Sequence, residues 1–157
     1  MKNALFALVA LWPASAFAVT CESLTSVALQ DTTITSAQSV AAGAFTVPAP
    51  AGGKGKQNPA AYADLPPFCR VMGTIKPAPD SDIKFEVWMP TTGWNGKFEG
   101  NGNGGWTGSI NPATLATGLR RGYATSMTDT GHEGGSGSFA LGHPEKLIDF
   151  GYRSTHE

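Results

Sequence analysis

The sequence predicts an α/β domain: opening antiparallel strands, then a strand–helix–strand unit. Three observations predict it. "DSDIKFEVWMP" alternates its side chains with the strand period of two. The turn-rich "PAPDSD" joins it to a second β-prone run, "FCRVMGTIKP", as in an antiparallel hairpin. "NPATLATGLRRG" then carries helix punctuation between two further short β-prone runs. Strands alternating with helices after a hairpin point to helices packed on a sheet.

Along the chain, residues 19–47 hold two β-prone patches, "SLTSVAL" and "TTITSAQSV". Ser, Thr and β-branched residues dominate them, and a short strand or turn is expected around 31–40. "VPAPAGGKGKQNPAAYADLPP" clusters Pro, Gly and Lys, the composition of a long surface loop. "FCRVMGTIKP" reads as a strand stopped by Pro77 and Pro79. In the next strand Ile83, Phe85, Val87 and Met89 alternate with Lys84, Glu86 and Trp88. That pattern expects the first set in the core and the second on a polar or amphipathic face.

"GWNGKFEGNG" reads as a turn, a short strand and the start of a glycine loop. In the helix that follows, Asn111 or Ser109 suits the N-cap, Pro112 the first turn and Gly122 the position past the end. Leu115, Ala116 and Leu119 form its apolar face. "YATSMTD" is a short strand running into a second glycine loop, "TGHEGGSGS". "HPEKLIDFGYRSTHE" has helical character, with Leu147, Ile148 and Tyr152 spaced for one buried face.

The first 18 residues, "MKNALFALVALWPASAFA", combine Lys2, an apolar run from Ala4 to Trp12 and the small-x-small signal Ala16-Phe17-Ala18. This is the pattern of a secretory signal peptide cleaved near Ala18. It leaves residues 19–157 as one domain and expects a secreted or periplasmic protein. The apolar run is shorter than the roughly 20 residues that span a bilayer, so no membrane partner is expected after cleavage. Net charge is −1, only 15% of residues are charged, and no basic stripe exists, which argues against nucleic acid. Hydrophobic residues at 41% suffice for a core.

The two cysteines, Cys21 and Cys69, read as a disulfide in an exported chain, with two free thiols as the alternative. No His or third Cys lies near either, so no metal site is expected. The chain stops at Glu157 inside a helical pattern, which suggests a truncated domain.

"GKFEGNGNGGWTGS", residues 96–109, holds glycines at 96, 100, 102, 104, 105 and 108. Composition leaves two explanations equally open: a tight turn, or close approach of the backbone to a ligand. A phosphate loop is excluded, because the required Lys and Ser or Thr do not follow, and the spacing fits a dinucleotide fingerprint poorly. No Ser sits in a G-x-S-x-G nucleophile elbow; "GGSGS" at 134–138 fails at its last position. His132 follows Asp129 by three residues, as in an acid–base couple. With no nucleophile nearby, a loop-shaping role is preferred: Asp129 bonding backbone N–H groups, His132 packing beside it. His143 precedes Pro144 as a cap-region residue, and His156 is expected at the surface or core edge.

"CESL", "LPPFCRVMGTIKPAPDSDIKFEVWMPTTGWNGKFEGNGNGGWTGSI", "RRGYATSMTDTGHEGG" and "FALGHPEKLIDFGYRSTHE" resemble the N-terminal part of the tannase and feruloyl esterase family, which also includes the bacterial hydrolase of mono(2-hydroxyethyl) terephthalate. The likeness covers essentially the whole chain after residue 18. It implies the N-terminal part of an α/β-hydrolase fold, with an incomplete sheet and no lid domain. It implies hydrolysis of carboxylic esters of aromatic acids, such as feruloyl or galloyl esters, by a Ser-His-Asp mechanism, with a small aromatic ester as partner. It implies the Cys21–Cys69 disulfide as well.

In α/β hydrolases the loop after the third strand donates one oxyanion-hole N–H. The resemblance gives that role to Gly105 and has Gly104 and Trp106 shape the acyl pocket. The family's nucleophile lies in a G-C-S-x-G-G elbow, with its Asp and His much further along; none is in this sequence. The family's lid and its calcium site are absent too, so no cofactor is expected in this chain. The chain alone is therefore expected to be inactive. The competing expectation is a secreted β-rich binding module presenting Trp88, Trp94 and Trp106 as a platform for sugars or phenolics.

Overall fold

The computed structural model describes residues 19–47 and 58–156. The expected signal peptide at 1–18 and the middle of the expected surface loop, 48–57, lie outside the described residues. Five strands form one mixed sheet: β1 (Thr32–Val40), β2 (Phe68–Ile75), β3 (Ile83–Pro90), β4 (Phe98–Asn101) and β5 (Ala124–Thr128), in the spatial order β1-β2-β3-β5-β4. The first three run antiparallel, as short connections allow. β2 and β3 pair without a break from Phe68 opposite Pro90 to Ile75 opposite Ile83, so "PAPDSD" is indeed the hairpin turn. β5 is antiparallel to β3 and parallel to β4. The parallel step needs a long crossover, and helix α1 (Pro112–Arg120) supplies it.

Helix α1 begins where the sequence says it should. Asn111, not Ser109, is the cap: its side chain accepts the Ala113 N–H at 2.9 Å, and Pro112 takes the first helical position. Gly122 closes the end with φ +77, a left-handed conformation that glycine adopts without penalty. Leu115, Ala116 and Leu119 are fully buried. They pack with Phe45, Leu65, Phe68, Trp88 and Met127 to form the main core. Trp88 is its centre, 4.6 Å from the rings of both Phe45 and Phe68. A smaller cluster of Ala37, Cys69 and Val71 fills the other face of the sheet. There the Cys21–Cys69 disulfide forms, with Cα atoms 5.6 Å apart.

Three expectations are corrected. "SLTSVAL", β-prone by composition, forms no strand: Glu22–Ser26 is a 3-10 turn, while the strand expected around 31–40 is β1. The hydroxyls of Ser23, Thr25 and Ser26 bond the carbonyls of Thr20, Glu22 and Ser23, three residues back, and so outbid a ladder. The faces of β3 are also corrected in part. Ile83 is fully buried and Lys84 exposed, as expected, but Trp88 is fully buried and Glu86 nearly so, whereas Phe85, Val87 and Met89 are only half-buried. α1 covers the Trp88 face, and Glu86 is tolerated there because Arg70 Nε and Trp88 Nε1 both donate to it.

The third correction concerns the last helical stretch. It forms as α2 (Pro144–Ile148), a π-helical turn (Asp149–Arg153) and α3 (Ser154–His156). Leu147, Ile148 and Tyr152 are nevertheless exposed, and Asp149 and Ser154 are buried. The π turn shifts the 3.6-residue phase that the spacing assumed. Polar pins orient the helix instead: Asp149 Oδ1 accepts from Ser81 Oγ at 2.8 Å and from Arg153 Nη1 at 2.9 Å. No helix among the described residues is long and apolar enough to cross a membrane.

Candidate active site

Because β4 and β5 are parallel, their carboxyl ends open at the same edge of the sheet, where open α/β sheets bind ligands. The loops that leave these ends, residues 102–111 and 129–136, are tied together. Asn103 Nδ2 donates to the Thr128 carbonyl at 2.8 Å. Asn101 Nδ2 reaches Thr125 Oγ1 at 2.9 Å. Gly108 and Gly134 form an isolated antiparallel bridge.

The glycines of the first loop serve different needs. A Cβ at Gly108 would lie 2.2 Å from the His132 carbonyl oxygen, so only glycine lets the two backbones meet. Gly105 is required for conformation instead. Its φ is +57, in a tight turn closed by the Thr107 N–H on the Gly104 carbonyl at 3.1 Å. A Cβ at Gly104 or Gly105 would meet nothing within 4 Å, because both face open space. Among the described residues, no acceptor takes the N–H of Gly105 or Trp106. The turn therefore offers two adjacent backbone donors at its surface.

Trp106 is half-exposed. Its ring stacks on Phe150 with centroids 4.9 Å apart, and Gly137 lies against it. His132 is buried and stacks on Phe139 at 3.7 Å, with 10° between the planes. Its Nε2 is 2.9 Å from the Trp106 carbonyl oxygen and its Nδ1 3.3 Å from Thr130 Oγ1. Asp129 Oδ1 accepts the N–H of Lys84 at 2.9 Å and of Gly131 at 2.8 Å. Burial pushes its carboxyl pKa above the ordinary value, against the pull of those two N–H groups and the Lys84 charge. The side chains of Asp129 and His132 share no hydrogen bond: Asp129 is committed to the backbone of β3 and of its own loop, and His132 to the backbone of the loop after β4.

The three tryptophans do not form a platform. Trp88 is in the core, while Trp94, 60% exposed, precedes β4 and Trp106 follows it, at opposite ends of the strand. His143 is exposed and lies 2.8 Å from Asp80 Oδ2; His156 stacks on Tyr152. Among the described residues, no three His, Cys, Asp or Glu side chains gather as a metal site would require. Sequence reasoning missed Asn101 and Asn103, whose side chains fasten the end of β4 and the start of its loop to β5, and the aromatic pair Phe139 and Phe150. The Asn residues of "NGNGG" were the available signal. Thr130, at φ +59, was also missed; a β-branched residue seldom holds that conformation.

A family profile described as tannase and feruloyl esterase matches residues 69–157. A protein of Xanthomonas campestris described as an uncharacterized esterase is 43% identical over 156 residues, which are 98% of this chain and 26% of that protein. Feruloyl esterase B of Aspergillus niger is 34% identical over 129 residues, 82% of this chain and 24% of that protein. Among solved structures, feruloyl esterase B from Aspergillus oryzae superposes with a TM-score of 0.72 at 27% identity, covering 87% of this chain and 26% of that one. An esterase from the same organism gives a TM-score of 0.71 at 28% identity, covering 87% of this chain and 27% of that one. The chain spans about a quarter of the length of these relatives.

Proposed function

Because this chain belongs to the tannase and feruloyl esterase family, we propose that it supplies the oxyanion side of an enzyme that hydrolyses carboxylic esters of phenolic acids. Its mixed sheet is part of the α/β-hydrolase-type fold of the matched esterases. The observation that carries the proposal is the Gly104–Thr107 turn, which presents the unclaimed N–H groups of Gly105 and Trp106 at the carboxyl end of β4.

In ester hydrolysis a serine oxygen attacks the carbonyl carbon, and the C=O electron pair moves onto oxygen. The oxyanion is stabilised by fixed backbone donors that cost no reorganisation at the moment of reaction. Gly105 N–H is one such donor, with Trp106 N–H adjacent. The exposed part of the Trp106 ring offers a flat apolar wall for an aromatic acyl group. The serine, its histidine and its aspartate lie outside these 157 residues in this reading, since no G-C-S-x-G-G elbow occurs here. The disulfide suits an oxidising compartment and supports export of the protein.

The test is to read the gene past codon 157, express the complete reading frame and assay methyl ferulate and a galloyl ester. Release of the free acid by the complete protein, with none from residues 19–157 alone, is the expected result. Turnover by the 157-residue chain alone, or none from the complete protein, overturns it.

A further inference from the structure

We propose that His132 is a positioning residue for the oxyanion turn: its Nε2–H holds the Trp106 carbonyl and thereby aims the Gly105 and Trp106 N–H groups outward. The inference rests on the oxyanion reading of that turn. The peptide joining Trp106 to Thr107 is held at both of its polar ends. His132 Nε2 takes its carbonyl at 2.9 Å, and the Gly104 carbonyl takes its N–H at 3.1 Å. A carbonyl only accepts, so Nε2 carries the proton in this contact. A peptide unit is planar and stiff, so fixing both ends fixes the plane that closes the turn. The two central N–H groups then point away from it.

The imidazole is itself held. Phe139 lies parallel to it, and Thr130 Oγ1 faces its other nitrogen. Thr130 adopts a left-handed φ of +59, which persists only where the surroundings over-determine it. They do so here: Asp129, one residue earlier, is fixed by the N–H groups of Lys84 and Gly131. Lys84 belongs to β3, so the sheet itself sets the angle at which the second loop delivers His132 to the first. The Gly108–Gly134 bridge joins the two loops through backbone alone, and the His132 side chain joins them at Trp106. Loss of the histidine donor is therefore expected to loosen the Gly104–Thr107 turn and leave the Gly108–Gly134 bridge in place.

The test uses the complete protein with His132→Phe, which keeps the stack on Phe139 but has no donor, and His132→Gln, whose amide can donate. For methyl ferulate, His132→Phe is expected to lower kcat about tenfold to a hundredfold, the scale of a small misplacement of a catalytic group. KM should change by less than about threefold, as for an interaction made in the transition state. His132→Gln should restore part of kcat. An arylboronic acid that forms a tetrahedral adduct on the serine should shift the Gly105 and Trp106 amide resonances in the wild type, and shift them less in His132→Phe.

Unchanged kcat in His132→Phe, or a loss that His132→Gln does not relieve, overturns the proposal. Amides of Gly105 and Trp106 that ignore the boronate even in the wild type overturn the oxyanion reading itself. If His132→Phe does not fold, His132→Asn takes its place in both arms, because its shorter amide does not reach the Trp106 carbonyl.

Discussion

Gly108 and Gly134 exchange both of their backbone hydrogen bonds, at 2.7 and 3.1 Å, and so weld the loop after β4 to the loop after β5. The weld separates the glycines of the first loop into kinds that substitution can tell apart. Gly108→Ala forces a methyl group onto two carbonyl oxygens, at 2.2 and 2.7 Å, and backbone cannot swing away as a side chain can. It should cost about 2–3 kcal/mol, as overpacking does. Gly105→Ala meets no atom and carries only the left-handed penalty, about 1 kcal/mol. Gly104→Ala meets neither and should stay within about 0.5 kcal/mol of wild type. Urea titrations followed by tryptophan fluorescence give the ranking; a Gly108→Ala variant as stable as Gly104→Ala contradicts it.

Glu86 accepts from Arg70 Nε and Trp88 Nε1 inside the sheet, where all three side chains are largely or wholly buried. Glu86→Ala leaves a buried guanidinium and an indole N–H without partners. The expected loss is about 3–5 kcal/mol, the cost of breaking rather than replacing a buried pair. Glu86→Gln keeps an oxygen acceptor and should lose less. Thermal melts of the two variants decide; equal losses would show that the acceptor is immaterial.

The same glutamate shows what was legible in the sequence. Helix α1 was readable because its signals are local: Asn111, Pro112, Gly122 and the Leu115–Leu119 spacing act within one element. The faces of β3 were not, because a carboxylate is buried only when its partner is known, and Arg70 is 16 residues away on β2. The exposed Leu147 and Tyr152 have a similar origin, since Asp149 is bonded by Ser81, 68 residues earlier. In the site, the glycine loop was visible from its place between strand and helix. Its mooring was not: the Asn103–Thr128 and His132–Trp106 contacts span 25 and 26 residues and depend on β4 and β5 lying side by side.

The Cys21–Cys69 bridge closes a loop with a sequence separation of 48 and fastens the first turn of the domain to β2. Chain entropy alone assigns such a loop about 4 kcal/mol. Cys21→Ser with Cys69→Ser, or reduction of the wild type, should lower the unfolding free energy by that order, seen as a lower urea midpoint with an equal or steeper slope. Little of this loss should arise in the main core, because Cys69 packs with Ala37 and Val71 on the opposite face of the sheet from Trp88. A midpoint that does not move would mean the unfolded chain was already restrained.

Asp129 gives the protein a pH dependence of uncommon sign. Burial raises its carboxyl pKa in the folded state, and the N–H groups of Gly131 and Lys84 only partly offset this. The folded protein therefore binds the proton more tightly than the unfolded chain, whose Asp titrates near about 3.9. The resulting stability is fully present below that unfolded value and is lost as pH rises through the folded pKa. Glu22, Asp64 and Asp82 behave oppositely. Their pKa values are lowered by hydrogen bonds, from the backbone at Glu22 and Ser39, from Arg120 and from Lys84 respectively, so their contribution is lost as pH falls. They mask Asp129 in the wild type alone, but cancel in a comparison with Asp129→Asn. That variant keeps an oxygen for both N–H groups and does not titrate. Its melting temperature should match wild type at about pH 3 and rise relative to it as pH climbs past the ordinary Asp range, reaching a plateau above the folded pKa. A difference that stays flat with pH, or favours wild type at neutral pH, would show that Asp129 is not held against its charge.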